Sequence, residues 1–218
     1  MLFGEDPELR QIIGVTLQMS MMSTAISSVL GIPLGVLIGG NEFKGKRWIQ
    51  RILNTAMGLP PVVVGLVVFL ILSRSGPLGS FKLLYSVPAM VTAQVILIIP
   101  IISGFTTTIV SIRAEKIRET AEGMGIPRLR QMLYMVYESK KEFVSTVLVG
   151  FGRAIAEVGA VQIVGGNVQF KTRVMTTAIM MQTNMGHFEF AIALGMVLLI
   201  ISFTINAIAH SLQGRVMA

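Results

Sequence analysis

The chain has 218 residues, 53% hydrophobic and only 13% charged, where a soluble domain carries about a quarter charged residues. So few charges exclude a fully solvated surface, and the absence of cysteine excludes disulfides and thiolate metal sites. The net charge of +7 would suggest nucleic acid in a soluble protein. Here the bases crowd a few segments between apolar runs, which fits membrane lipid and not nucleic acid as the partner.

The first residues, Gly4-Glu5-Asp6-Pro7-Glu8, are acidic where a cleaved signal would be basic, and the following apolar run is too long for a signal core. No charge occurs between Gln11 and Gly40, longer than the roughly 20 helical residues that cross a bilayer. Further charge-free stretches run over 52–73 and 83–112. A fourth apolar segment, 143–164, contains Arg153 and Glu157, and a fifth covers 190–209. These five runs predict an all-α, polytopic membrane protein of one domain, residues 1–218, with five transmembrane helices. Pro33, Pro60, Pro61, Pro88 and Pro100 should kink helices or mark their ends. The uncharged stretch 174–185 is too short to span; a re-entrant or interfacial helix and a plain helix on the bundle both fit it.

Five spans place the termini on opposite sides. Twelve of the 18 bases, including Lys44, Lys46, Arg47, Arg51, Arg113, Lys116, Arg118, Arg128 and Arg130, fall in one set of loops. Five fall in the other: Arg10, Arg74, Lys82, Lys171 and Arg173. The positive-inside rule then puts the N-terminus outside, the C-terminus in the cytoplasm and the 113–142 segment in the cytoplasm.

Ser23, Ser27, Gly31, Gly35 and Gly39 recur every four residues, a stripe that lets another backbone approach closely, either in a second copy or within one subunit. The 15 methionines read as lipid-facing filler more simply than as a metal relay. Gly40-Asn-Glu-Phe-Lys-Gly45-Lys46-Arg47 falls short of a phosphate-binding loop, because Arg47 stands where Mg²⁺ needs Ser or Thr and no strand precedes it. His187 and His210 lie near opposite membrane ends with no second metal ligand in view. A buried nucleophile and base at one depth are also missing, so the chain is not expected to be an enzyme.

The segment Arg118-Glu119-Thr120-Ala121-Glu122-Gly123-Met124-Gly125-Ile126-Pro127-Arg128 predicts a short helix over 115–121, a left-handed glycine stop at Gly125, and a second helix from Arg128 to about Val136 with Pro127 in its first turn. Such turn chemistry suggests a knob that docks a soluble partner. Glu119-Thr120-Ala121 with Gly125 resembles the Glu-Ala-Ala-x-x-x-Gly loop of bacterial ABC-importer permeases of the type I class. Thr120 replaces the middle alanine, and Met135-Val136-Tyr137-Glu138 stand where that family has Ile-x-Leu-Pro. The likeness extends over about 16–212. Gly152-Arg153-Ala154-Ile155-Ala156-Glu157-Val158-Gly159-Ala160 resembles molybdate and sulfate permeases, and the continuation Ile163-Val164-Gly165-Gly166-Asn167 with Thr172 to Ile179 is similar to tungstate permeases.

The resemblance implies a permease subunit for an oxyanion, tungstate or else molybdate, sulfate or vanadate. It implies two copies in the bacterial inner membrane, two ATPase subunits holding ATP and Mg²⁺, and a separate extracytoplasmic oxyanion-binding protein. The chain itself would bind no cofactor or metal. Its coupling loop would cover about 113–138, with Arg118, Glu119, Thr120, Ala121, Gly125, Arg128 and Arg130 engaging the ATPase. Pro60, Pro61, Arg153, Glu157 and Gly159 are candidates for the pathway or its gate. Arg153 and Glu157, four apart, also fit a neutralised pair that fixes packing, and Pro60-Pro61 also fits a simple kink. A channel or secondary transporter and an intramembrane enzyme are the rival classes.

Overall fold

The computed structural model describes residues 7–215, with the side chains of Glu119, Glu122 and residues 208–215 outside that description. Among the described residues there are nine α-helices and no strand: α1 (Pro7–Gly40), α2 (Lys46–Met57), α3 (Pro61–Leu72), α4 (Val87–Gly123), α5 (Arg128–Glu138), α6 (Lys140–Ile155), α7 (Gly159–Gly165), α8 (Met175–Asn184) and α9 (Phe188–Arg215). Three helices, α1, α4 and α9, are long and apolar enough to cross a membrane alone. Two more crossings exist if each bent pair is one span: α2 with α3, turned by 96°, and α6 with α7, turned by 56°. The five expected spans are therefore all present as segments, but the second and fourth are broken.

The central contact is α1 against α4. Ser20, Ser23, Ser27, Gly31, Gly35 and Gly39 are all buried. A methyl group built on Gly31 would meet Ile102 at 3.1 Å, one on Gly35 would meet Thr106 Cβ at 2.5 Å, and one on Gly39 would meet the Thr107 carbonyl at 2.7 Å. The small-residue stripe thus joins two helices of the same subunit. Ser23 Oγ donates to Gln94 Oε1 at 2.7 Å, and Gln94 Nε2 donates to the Ala154 carbonyl at 2.8 Å. This buried relay ties α1, α4 and α6 together where lipid offers no competing partner.

Not all methionines are lipid-facing filler. Met19 and Met90 are completely buried in one apolar cluster and Met135 and Met175 in two others, while Met21, Met124, Met185 and Met196 are exposed. Helix α8 packs on the bundle at one end of the fold. It buries Met175 and Ala178 against Ile12 and Leu194 of α1 and α9, and Met175 N–H donates to Thr16 Oγ1 at 2.9 Å. Glu8 holds Arg173 and accepts from Gln169 Nε2 at 2.8 Å, fastening the start of α1 to the loop before α8.

Candidate functional site: a helical knob and two facing helix breaks

The expected knob is present, but its first helix is not a separate short one. It is the last part of α4, which runs unbroken from the apolar run through Gly123. Gly125 has φ +64°, and Ile126 N–H donates to the Ala121 carbonyl at 3.0 Å. This long return bond over a left-handed glycine is how a helix C-terminus satisfies its orphan carbonyls. Pro127 sits at the N-cap of α5, one residue earlier than expected, and α5 continues to Glu138. Its last turn closes into Ser139 without needing a Leu-Pro exit, because Ser139 N–H reaches the Met135 and Val136 carbonyls at 3.0 and 3.2 Å.

Two cations brace the base of this knob. Arg113 Nη1 donates to Ser139 Oγ at 2.6 Å and to Glu142 Oε2 at 3.1 Å, which links α4 to the start of α6. Neither Arg113 nor Glu142 was singled out from the sequence as a site, since their partnership depends on the chain reversing through α5. Arg118 Nη2 donates to the Gly40 carbonyl at 3.2 Å, so it faces inward to the negative end of α1. Ala121 is buried, Thr120 Oγ1 bonds back to the Lys116 carbonyl at 3.1 Å, and Arg128 and Arg130 are exposed. The Glu119 side chain lies outside the described residues. Met124, Leu129, Leu133, Tyr134 and Tyr137 are all more than half exposed. Beside them a concavity of about 630 Å³ is lined by Lys116, Ala121, Arg130 and Tyr134. An apolar patch of this kind, rimmed by bases, marks a protein, membrane or ligand interaction site.

Lys46, the lysine of the near-miss phosphate loop, is already engaged. Its Nζ donates to the Gly39 carbonyl at 3.2 Å and to Glu42 Oε1 at 2.7 Å. That hydrogen bond holds the Glu42 carboxyl below its ordinary value.

The second feature lies in the bundle. Pro60 caps α3 and Pro61 is its first residue, the position where a missing N–H costs least. The other break, between α6 and α7, contains no proline. Arg153 Nη1 pairs with Glu157 Oε2 at 2.5 Å across it, and Glu157 Oε1 accepts from Ala160 N–H at 3.0 Å. The carboxylate therefore caps α7 while it neutralises Arg153, a stabilising place for an anion. Arg153 and Glu157 do not share one helix, since α6 ends at Ile155. Thr176 Oγ1 of α8 donates to the Glu157 carbonyl at 2.8 Å, and the Gln94 amide holds the Ala154 carbonyl that a continuous helix would have used.

The two breaks meet. A methyl group on Gly159 would lie 2.8 Å from Val62 Cγ2, and one on Gly65 would lie 2.7 Å from Ala160 Cα. Pro60, Pro61, Arg153, Glu157 and Gly159, chosen separately from the sequence, are thus gathered at one junction of α3 and α7. Glu157 is 3% exposed there, while the Arg153 side chain is 34% exposed.

Comparison with known proteins places this architecture. Residues 31–217 match the family described as the binding-protein-dependent transport system inner membrane component. The chain is 43% identical over 213 residues to the tungstate uptake system permease protein TupB of Peptoclostridium acidaminophilum, covering 98% of this chain and 93% of that one. It is 38% identical to the TupB protein of Campylobacter jejuni, with 98% and 89% covered. A bacterial ABC transporter of known crystal structure, involved in import of the polysaccharide alginate, superposes with a TM-score of 0.73 at 18% identity, covering 98% of this chain and 82% of that one. The chain therefore belongs to the binding-protein-dependent inner membrane components, the multi-pass permease subunits of ABC importers.

Proposed function

We propose that the chain is the permease of a tungstate importer and that the knob of α4, Gly125 and α5 is where ATP-driven force enters it. The observation that carries the substrate is likeness over nearly the whole length to two tungstate uptake permeases. In this reading two copies pair, and each docks one ATPase subunit through 113–138. ATP and Mg²⁺ bind in those partners, and this chain contributes no catalytic group, cofactor or metal site. An extracytoplasmic binding protein delivers the anion. The N-terminus is outside and the C-terminus in the cytoplasm, as the bias of bases requires.

The chemistry left to this chain is mechanical. Closure of the ATPase pair moves the knob as a rigid body, because Arg113 and Arg118 brace it to α6 and α1. Helix α4 carries the motion to the α3–α7 junction, whose two breaks act as the gate. Arg153, neutralised by Glu157, presents partial positive character without a free charge. That suits passage of a dianion, since a strong site would retain its cargo.

The substrate is tested on the complex assembled with its natural ATPase and binding protein. Tungstate is expected to stimulate ATP hydrolysis at lower concentration than molybdate, sulfate or vanadate; stimulation by molybdate alone would replace the substrate and keep the permease. The coupling role is tested by Gly125→Val. No neighbour lies within 4 Å of a methyl group there, so the effect is confined to the backbone. Left-handed geometry costs an L-residue about 1–2 kcal/mol, and more for a β-branched one. The variant is expected to insert normally but to lose anion-stimulated ATP hydrolysis by about tenfold or more, whereas Gly125→Asn, which tolerates this conformation, retains most of it. Full stimulation in Gly125→Val would remove the knob from the mechanism.

A further inference from the structure

The helix that sequence patterning folded into the second span, α2, has a separate job. It turns 96° from α3. With α3 upright in the bilayer, α2 runs along the membrane surface. At 100° per residue, Trp48, Ile49, Ile52, Leu53, Ala56 and Met57 occupy one half of its circumference, and Arg47, Gln50, Arg51, Asn54 and Thr55 the other. Part of the apolar half packs inward: Met57 Sδ would lie 2.8 Å from a methyl group on Gly104 of α4. The rest is uncovered, with Trp48 68% and Ile52 62% exposed.

The polar half is basic and lacks acids. Lys46 is consumed by Gly39 and Glu42. Lys44, Arg47 and Arg51 are exposed and form no ion pair among the described residues. Arg51 lies with its guanidinium 5.5 Å over the Trp48 ring, at the seam between the two halves. Glu42, Phe43, Lys46, Arg47, Trp48 and Arg51 line a concavity of about 550 Å³, within the range of sites that hold small ligands; the Glu42 carboxylate there is already paired with Lys46. Apolar side chains aimed at the acyl layer, an aromatic ring at the boundary and unpaired arginines above it are the arrangement of a helix that lies in the interface and attracts anionic lipid.

We propose that α2 is an in-plane anchor whose Arg47 and Arg51, with Lys44, take the phosphate headgroups of anionic phospholipids while Trp48 and Ile52 enter the acyl boundary. The assignment stands on the placement of α2 and is independent of which anion is transported. Because α2 leads directly into Gly58-Leu59-Pro60, the lipid would fix the position from which α3 starts.

Trp48 is the single tryptophan of the chain, so its fluorescence reports this site alone. The full-length chain is reconstituted in phosphatidylcholine vesicles doped with either brominated phosphatidylglycerol or brominated phosphatidylcholine at equal bromine content. Quenching by the anionic lipid is expected at a mole fraction at least about fivefold lower, the effect of a single base at an anionic surface. Lys44→Gln/Arg47→Gln/Arg51→Gln should lose that preference while quenching by the neutral lipid persists. Arg47→Lys/Arg51→Lys, which keeps the charges and guards against a folding defect, should retain it. Equal quenching by both lipids, or a preference that survives the triple glutamine variant, overturns the proposal. Absence of quenching by either lipid also overturns it, since a second copy or another protein would then cover Trp48.

Discussion

Gly35→Val is expected to abolish recovery of the folded subunit, while Gly14→Ala and Gly195→Ala leave the yield unchanged. Gly14 and Gly195 have no neighbour within 4 Å of an added methyl group. At Gly35 the methyl group alone would lie 2.5 Å from Thr106 Cβ and 2.7 Å from the Ser103 carbonyl. The carbonyl belongs to the α4 backbone and has no rotamer through which to retreat. Thr106 is fully buried and Thr107 Oγ1 hydrogen-bonds to the Ser103 carbonyl at 2.7 Å, so the wall is rigid. Overpacking a side-chain core costs about 1–3 kcal/mol. Here the helices themselves must separate along the seam that organises the fold, and the cost should exceed that range. The measurement is the monodisperse fraction of detergent-extracted protein by size exclusion. Normal yield of Gly35→Val would mean that α1 is free to shift along α4.

Arg153→Met should destabilise the subunit by about 3 kcal/mol, the low end for removing one partner of a buried ion pair. The loss is moderated because Ala160 N–H still donates to the stranded Glu157 carboxylate. Glu157→Gln should cost less, toward the low end of the roughly 1.5–3 kcal/mol for a lost charged hydrogen bond, because the partly exposed Arg153 can turn to solvent and the amide oxygen preserves the cap of α7. The double variant should be more stable than Arg153→Met alone, since no unpaired charge remains. Thermal loss of the monodisperse peak, compared across the four proteins, gives the coupling. If Arg153→Met melts at the wild-type temperature, the pair is not what holds the break.

The membrane-crossing segments were legible because lipid removes charge over long stretches, and the five apolar runs correspond to α1, the α2–α3 pair, α4, the α6–α7 pair and α9. What escaped was the way two of them are broken. The double proline announced a kink at 60–61, but the residues before it were merged with α3 because 52–59 carries no charge. The two-sided pattern of Arg47, Trp48, Arg51 and Ile52 held the missing signal. The break after Ile155 has no proline or turn motif to betray it. It depends on Gln94 and Thr176, residues 60 and 19 positions away, capturing the carbonyls of Ala154 and Glu157. The small-residue stripe was readable as a site of close approach, but a stripe carries no label for its partner, and only the fold identifies α4. The same limit applied to Arg118, whose hydrogen bond to the Gly40 carbonyl no motif announces.

Helix α4 has 37 residues, about 55 Å at 1.5 Å per residue, nearly twice the thickness of the hydrocarbon layer. In the proposed scheme it would work as an oar held in a rowlock. Its blade is the segment ending at Gly123, and its fulcrum is the close-packed seam around Gly31, Gly35 and Gly39. A pivot of ten degrees about the middle sweeps each tip by roughly 5 Å in opposite directions. One stroke on the inner side would thus swing the far end by a comparable distance, with no relay of smaller rearrangements between them.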